Sequence, residues 1–250
     1  MSKLQSIRNE LHSPAGTAAD VVRAIRLRRA HPEIATLIRT LRAEGLTYLH
    51  PLNLWGLAGT LLDLDDRGID GAVIETGTAL GGSAIMLAKI RRRPRSLLVY
   101  DAFGMIPPPS ERDGDDVHER YQAIQAGQSQ GIGGDTYYGY RDDLLGDVTR
   151  SFERYGQDPR TADVTLVPGF FETSLQVDQP VALAHIDCDW YDSVQVSLER
   201  IDPWLVPGGR FVIDDYWRWS GCQRAVDDFL RGRDDLQVER RARFHIVKRG

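Results

Sequence analysis

Residues 71–90 read GAVIETGTALGGSAIMLAKI. Gly71 to Glu75 is a short apolar run of strand length, GTALGGS (residues 77–83) carries three glycines, and the remainder is apolar over a helical length. Strand, glycine turn and helix in that order open an α/β unit, and strands of the same kind recur downstream. Ser96–Tyr100 (SLLVY) ends at Asp101, Asp163–Val167 (DVTLV) is a third, Ala182–Ile186 (ALAHI) a fourth and Phe211–Ile213 (FVI) a fifth. Continuous apolar runs of this length are what a parallel sheet covered on both faces requires. After the helix CQRAVDDFLRG come two alternating segments, LQVERRA and ARFHIVKRG, with no room for a helix between them. They predict a terminal antiparallel hairpin on an otherwise parallel sheet.

Outward from this core, residues 16–65 show apolar positions at helical spacings of three and four, and predict a helical extension over residues 1–65 ahead of a main domain over 66–250. Arg23, Arg26, Arg28 and Arg29 interleave with Ala24, Ile25 and Leu27, as on an amphipathic helix with a solvated or subunit-contacting face. Between Phe103 and Val148 lies a long stretch rich in Gly, Pro and Asp. Its tyrosines and the segment Tyr121-Gln122-Ala123-Ile124 predict an ordering lid, residues 104–148, over a pocket.

The 250 residues are 42% hydrophobic, enough for one sizeable core. A net charge of −5 gives no basic footprint for nucleic acid. Neither Cys188 nor Cys222 has a metal-ligand spacing, and both read as reduced thiols. The stretch MSKLQSIRNELHSP lacks the apolar centre of a secretory signal, and no run is long enough to span a bilayer, so the expectation is a soluble cytoplasmic protein with a small-molecule partner.

Two acidic clusters carry the chemistry: Asp187 and Asp189 in HIDCDWYDS, and Asp214 and Asp215 in VIDDYW. Each follows a strand. If those strands are neighbours, three or four carboxylates converge where parallel strands end, and like charges at that spacing call for a cation with a preference for oxygen, such as Mg²⁺, Mn²⁺ or Ca²⁺. Asp192 and Ser193 are expected to cap the helix that follows, which leaves Asp187 and Asp189 free for a ligand. His185, on the strand just before the acidic cluster, can face either the core or the site, and a lone histidine in an apolar run is more often a satisfied core residue. Trp190, Tyr191, Tyr216, Trp217 and Trp219 crowd the same strand ends, and Phe170 and Phe171 follow the third strand, where they can flank a flat ring.

The turn GTALGGS fits neither the G-x-G-x-x-G dinucleotide pattern nor a P-loop. Glu75 before it and Asp101 at the end of the second strand suit a ligand with a cationic end and a ribose. S-Adenosylmethionine has both, and E-x-G-x-x-x-G with an acidic second strand resembles the class I methyltransferase pattern. More specifically, VIETGTALGGS, YDAFGMIPPP, VPGFFETSL, HIDCDWYDS and PGGRFVIDDYWRWSGCQRAVDDF, in this order from about Thr47 to Arg231, resemble the macrocin O-methyltransferase family of antibiotic-sugar methyltransferases.

That resemblance implies a Rossmann-like, mostly parallel seven-stranded sheet. It implies S-adenosylmethionine and a divalent cation, normally magnesium, a glycoside substrate, and homo-oligomers formed partly through the N-terminal helices. Carried onto this chain, it implies Asp187, Asp214 and Asp215 as metal ligands and Asp189 as the base, with the division between Asp187 and Asp189 left open. The expected cofactor contacts are Glu75, Thr76, Gly77, Thr78, Gly81, Ser83, Asp101, Phe170 and Asp187. The chain departs from the family at Thr78-Ala79-Leu80, where members often carry a Val-Trp-Arg-like triplet. Competing readings are a metal-dependent methyltransferase of catechols or other phenols, a nicotinamide-dependent sugar oxidoreductase, and a non-catalytic cofactor-sensing module.

Overall fold

A computed structural model describes residues 14–250. The segment read for a secretory signal therefore lies outside the described residues, apart from Pro14. The helical preface is three helices, α1 (Pro14–Ala30), α2 (Pro32–Ala43) and α3 (Pro51–Asp66). Pro32 and Pro51 stand at the first helical positions, where a missing N–H costs nothing, and so divide one long apolar pattern. The core order is then β1 (Ala72–Thr76), α4 (Gly82–Ile90), β2 (Leu97–Asp101), α5 (Asp115–Gln125), α6 (Leu144–Arg154), β3 (Val164–Pro168), the single turn α7 (Phe171–Ser174), β4 (Val181–Ile186), α8 (Tyr191–Ile201), β5 (Leu205–Ile213), α9 (Ser220–Phe229), β6 (Leu236–Arg240) and β7 (Phe244–Lys248).

The strands form one seven-stranded sheet in the order β3-β2-β1-β4-β5-β7-β6. Every pairing from β3 to β5 is parallel, and β7 runs antiparallel to both β5 and β6. This is the parallel sheet with a terminal hairpin that the sequence predicts. The fifth strand is longer than its apolar run. Pairing jumps from Val181↔Leu205 to Leu183↔Arg210, so Pro207, Gly208 and Gly209 form a bulge that the glycines permit.

The helical preface shares one hydrophobic core with the sheet. Ile34, Ile38, Leu54 and Leu61 pack in the same cluster as Val73, Leu97 and Leu183. One polar tie crosses that layer. Arg95 donates from Nη2 to Asp65 Oδ1 (2.6 Å) and to the Ile69 carbonyl (2.9 Å), while Asp65 Oδ2 accepts from the Arg92 N–H (2.9 Å). Both side chains are 1% exposed. Removing one member strands a buried charge, so Asp65→Ala is expected to lower unfolding free energy by about 3–5 kcal/mol in urea titrations.

The stretch read as a lid is built and tethered. α5 and the short 3₁₀ turns Ile132–Gly134 and Tyr138–Tyr140 carry it, and it runs into α6. Trp190 Nε1 donates to the Pro107 carbonyl (3.0 Å) and the Ser220 N–H donates to Asp116 (2.9 Å). The capping expectation for α8 fails. The helix begins at Tyr191, Trp190 is its N-cap with no side-chain cap, and Asp192 lies inside the first turn, paired with Arg112. Asp113 instead reaches from the tethered stretch to accept the Tyr191 N–H (2.8 Å), so a residue 78 positions away does the capping.

Candidate active site

The chain order reverses between β1 and β4, and the carboxyl ends of strands beside such a reversal open into a crevice. The parallel ladder runs one residue past each strand: Gly77 N–H donates to Tyr100 O, Asp187 N–H to Thr76 O, and Asp214 N–H to Ile186 O. Gly77, Asp187 and Asp214 therefore stand in one row across the sheet. Asp215 follows, and carboxylate oxygens of Asp187, Asp214 and Asp215 all lie within 4.8 Å of one another. The three residues expected to hold a metal are brought together.

Asp189 lies two residues beyond Asp187, at φ 62°, in a tight turn closed by a Trp190 N–H to Cys188 O bond of 2.7 Å. A side chain with a Cβ pays for this left-handed conformation, and among the described residues two of the four non-glycines that adopt it, Ala79 and Asp189, line the crevice. The turn aims Asp189 into two adjoining cavities. One, of about 490 Å³ with its open mouth, is lined by Gly77, Asp101, Ala102, Phe170 and Phe171. The other, of about 1450 Å³ with its open mouth, contains the acidic trio with Tyr48, Tyr137, Trp217, Arg218 and Trp219. Gly77, Asp101, Tyr138, Asp187 and Asp189 belong to both.

The glycine turn divides its labour. A Cβ on Gly77, φ +84°, would stand 2.0 Å from the Asp187 carbonyl oxygen, so the turn lies directly on the end of β4. Gly82 is pressed against the Leu46 carbonyl and Gly81 against Val148, which makes them contacts of α4 with its neighbours. Thr76, Gly81 and Ser83 line neither cavity, and Glu75 is fully buried. Glu75 Oε1 bonds His185 Nδ1 (2.7 Å) and Oε2 accepts from Thr78 Oγ1 (2.6 Å), which satisfies His185 as a core residue and braces the turn. Asp101 accepts the Thr78, Ala79 and Phe103 N–H groups at 2.7, 3.0 and 2.7 Å. It pre-forms the cavity wall and retains acceptor lone pairs for a ligand.

The large aromatics split likewise. Trp190, Tyr191 and Tyr216 are buried, while Trp217 and Trp219 face the larger cavity. Arg120, Arg218, Arg243, Tyr48, Tyr137 and Tyr138 were not singled out by sequence reasoning. The run TYYGY at 136–140 was the only local signal for any of them. Arg243, in the hairpin, grips Asp214 with two nitrogens at 2.6 and 2.7 Å.

Burial is the first cause of the electrostatics. It pushes Asp187 and Asp215 well above the usual carboxylate range, reinforced by the neighbouring carboxylates, and it raises Asp214 to about 6 although Arg243 opposes the shift. Burial also raises Asp189 and Asp101, against hydrogen bonding from Asp215 in the first case and the three backbone N–H groups in the second. Tyr137 is pushed to about 12 by burial. A carboxyl whose pKa is higher folded than unfolded costs the metal-free fold stability as pH rises from the ordinary value near ~4 through the folded value. Cation ligands must be deprotonated, and the cation removes that penalty. Mg²⁺ is therefore expected to raise the melting temperature more at about pH 8 than at about pH 5. Equal increments in thermal melts would count against binding at this trio.

Residues 54–239 match the family model described as Macrocin-O-methyltransferase (TylF). The chain belongs to that family. Its fold is that of class I methyltransferases: the solved O-methyltransferase NovP superposes with a TM-score of 0.66 over 82% of each chain at 23% identity. Among relatives of this macrocin O-methyltransferase family member, the 8-demethyl-8-(2,3-dimethoxy-alpha-L-rhamnosyl)-tetracenomycin-C 4'-O-methyltransferase of Streptomyces olivaceus is 31% identical over 66% of this chain and 60% of its own length. The demethyldecarbamoylnovobiocin O-methyltransferase of Streptomyces niveus is 27% identical over 71% of this chain and 64% of its own. The matched stretch thus spans less than two thirds of these curated relatives. Among the described residues, no helix is long and apolar enough to cross a membrane.

Proposed function

We propose that this chain transfers a methyl group from S-adenosylmethionine to a hydroxyl of a sugar or glycosylated natural product, with a divalent cation, Mg²⁺ by preference, held by Asp187, Asp214 and Asp215. One observation carries the reading: three carboxylates, Asp214 and Asp215 buried and Asp187 half-buried, meet within 4.8 Å in the larger cavity, with Asp187 also lining the smaller, in a chain of the macrocin O-methyltransferase family. The donor set is all oxygen, which suits a hard cation, and the mutual repulsion of the trio is relieved by one. The smaller cavity offers a flat backbone turn at Gly77, an acceptor in Asp101 and an exposed ring in Phe170, features that suit an adenosine.

When bound, S-adenosylmethionine supplies a methyl group on a cationic sulfur, and the cation supplies Lewis acidity that lowers the pKa of a neighbouring hydroxyl. The protein's own groups do the rest. Asp189, which faces both cavities, accepts the hydroxyl proton, and the positive fields of Arg218 and Arg120 favour its charged form against burial. Asp187 would be one ligand of the cation, and its carbonyl lies directly against Gly77 of the glycine turn. Trp217, Trp219 and Tyr48 supply faces on which a sugar ring or aglycone rests with water excluded.

Exposed Val21, Val22 and Ile25 on α1 support homo-oligomers built through that helix, which sedimentation velocity checks. The activity is tested by incubating the purified chain with S-adenosylmethionine, Mg²⁺ and a panel of deoxysugar glycosides, activated sugars and catechols, with detection by mass spectrometry. A one-methyl mass gain on sugar-bearing substrates is expected. A gain confined to catechols would overturn the sugar assignment.

A further inference from the structure

The sheet fixes only part of the acidic group. Its ladder ends with the Asp187 and Asp214 N–H groups, and Asp189 and Asp215, which are hydrogen-bonded to one another, stand beyond it. Each lies in a turn that runs into a helix. Trp190 follows Asp189 and opens α8, and the Asp215 carbonyl accepts the Arg218 and Trp219 N–H groups (2.9 and 3.1 Å) where α9 opens. Both helices have a tryptophan as N-cap, and an indole has no oxygen to offer the unpaired N–H groups of a first turn.

Both caps come instead from one short piece of the tethered stretch. Asp113 Oδ1 accepts the Tyr191 N–H (2.8 Å) at the start of α8. Three residues on, Asp116 Oδ2 accepts the Ser220 N–H (2.9 Å) at the start of α9, and its Oδ1 accepts the Ser220 hydroxyl. The piece is itself held. Asp113 Oδ2 accepts the Ser110 N–H (2.9 Å), and the Arg112 carbonyl accepts from Arg224 Nη1 of α9 (3.1 Å). The Arg112 guanidinium pairs with Asp192 of α8 and lies over the Tyr191 ring at 4.3 Å. Packing leaves no slack: a Cβ on Gly221 would collide with Asp113 Oδ1, and one on Gly114 with Ser220 Oγ. Residues 110–116 thus join the starts of two helices, each of which continues from a turn that carries one carboxylate of the site.

Resting on the proposed cation-dependent methyl transfer, we propose that Asp113 and Asp116 are positioning residues: as one clasp across α8 and α9 they fix Asp189 relative to Asp215, and so the base relative to a cation ligand. A local cap steadies only the helix it touches. A clasp steadies both, because loosening either end frees the piece that holds the other.

The first measurement needs neither cation nor substrate: amide hydrogen exchange in the full chain, read at residues 188–191 and 215–220. Asp113→Ala is expected to speed exchange about fivefold at 215–220 as well as at 188–191, and Asp116→Ala at 188–191 as well as at 215–220. Asp113→Asn and Asp116→Asn keep an acceptor for the helix N–H and should restore slow exchange. Asp143→Ala removes the same kind of cap from α6, whose residues line neither cavity, and should leave both segments unchanged. The second measurement is Mg²⁺ affinity by calorimetry without donor or acceptor. Both alanine variants should bind about tenfold weaker or more, with the asparagine variants and Asp143→Ala close to the unaltered chain. The clasp is overturned if exchange rises only at the helix whose own cap was removed, if the alanine variants bind Mg²⁺ as the unaltered chain does, if asparagine fares no better than alanine, or if Asp143→Ala matches them. Should the unaltered chain bind no Mg²⁺, the proposed cation falls, and exchange that rises at both segments still supports the clasp.

Discussion

Stripping divalent cations with excess chelator is expected to lower methyl transfer by at least about 10²–10³-fold, the several kcal/mol a Lewis acid contributes to a charge-developing step. Mg²⁺ should restore it. Asp215→Asn keeps the shape of the trio but removes a charge from a set whose oxygens lie within 4.8 Å, so it should lose activity to a similar extent. Because the lost group is a ligand, added Mg²⁺ should recover only part of that loss. The measurement is initial rate against Mg²⁺ concentration for both proteins. Full activity of the unaltered chain in excess chelator would remove the cation from the reaction altogether. The variant should also shed the raised stability cost of the metal-free site, since Asp215 is buried and held well above the usual carboxylate range by that burial and by Asp189. A higher melting temperature without metal and a smaller Mg²⁺ increment are therefore expected together, with activity and stability moving in opposite directions.

Asp189→Asn is expected to lower kcat by about 10²–10⁴-fold, the range for removal of a positioned general base. It should leave the melting increment from Mg²⁺ nearly unchanged, because Asp189 lies outside the trio. Asparagine tolerates a φ of 62°, so the turn should survive the change. The split between the two readouts separates the base from a ligand, and it resolves the division between Asp187 and Asp189 that the sequence leaves open. A variant that loses its Mg²⁺ response would make Asp189 a ligand. A variant that keeps its rate would return the proton to Asp187 or to solvent.

Much of this site is local, and therefore readable in one dimension. A parallel strand ends where its apolar run ends, so the residue after ALAHI and the residue after FVI both had to emerge at the carboxyl edge, and strand neighbours then bring them together. The hairpin was equally visible, because alternation and the lack of room for a helix are properties of the segment itself. Assigning ligands by kind was less secure. Glycines in GTALGGS read alike in sequence, yet Gly77 lies on the end of β4 while Gly81 and Gly82 receive Val148 and Leu46, residues from a later helix and an earlier loop. Glu75, expected near a cationic ligand, spends both oxygens on His185 and Thr78.

What the sequence by itself determined is the parallel sheet with its antiparallel end and the acidic trio at its edge, because period, apolar run length and strand-end position are short-range properties. The tertiary structure alone decided which groups surround that trio. Arg243 from the hairpin, Arg120 and Tyr137 from the tethered stretch and Tyr48 from the helical preface reach it through long-range packing. So does Asp113, which caps α8 in place of Asp192 and Ser193. A side chain's nearest partners across tens of residues follow from how layers close on one another, and no local pattern encodes that closure.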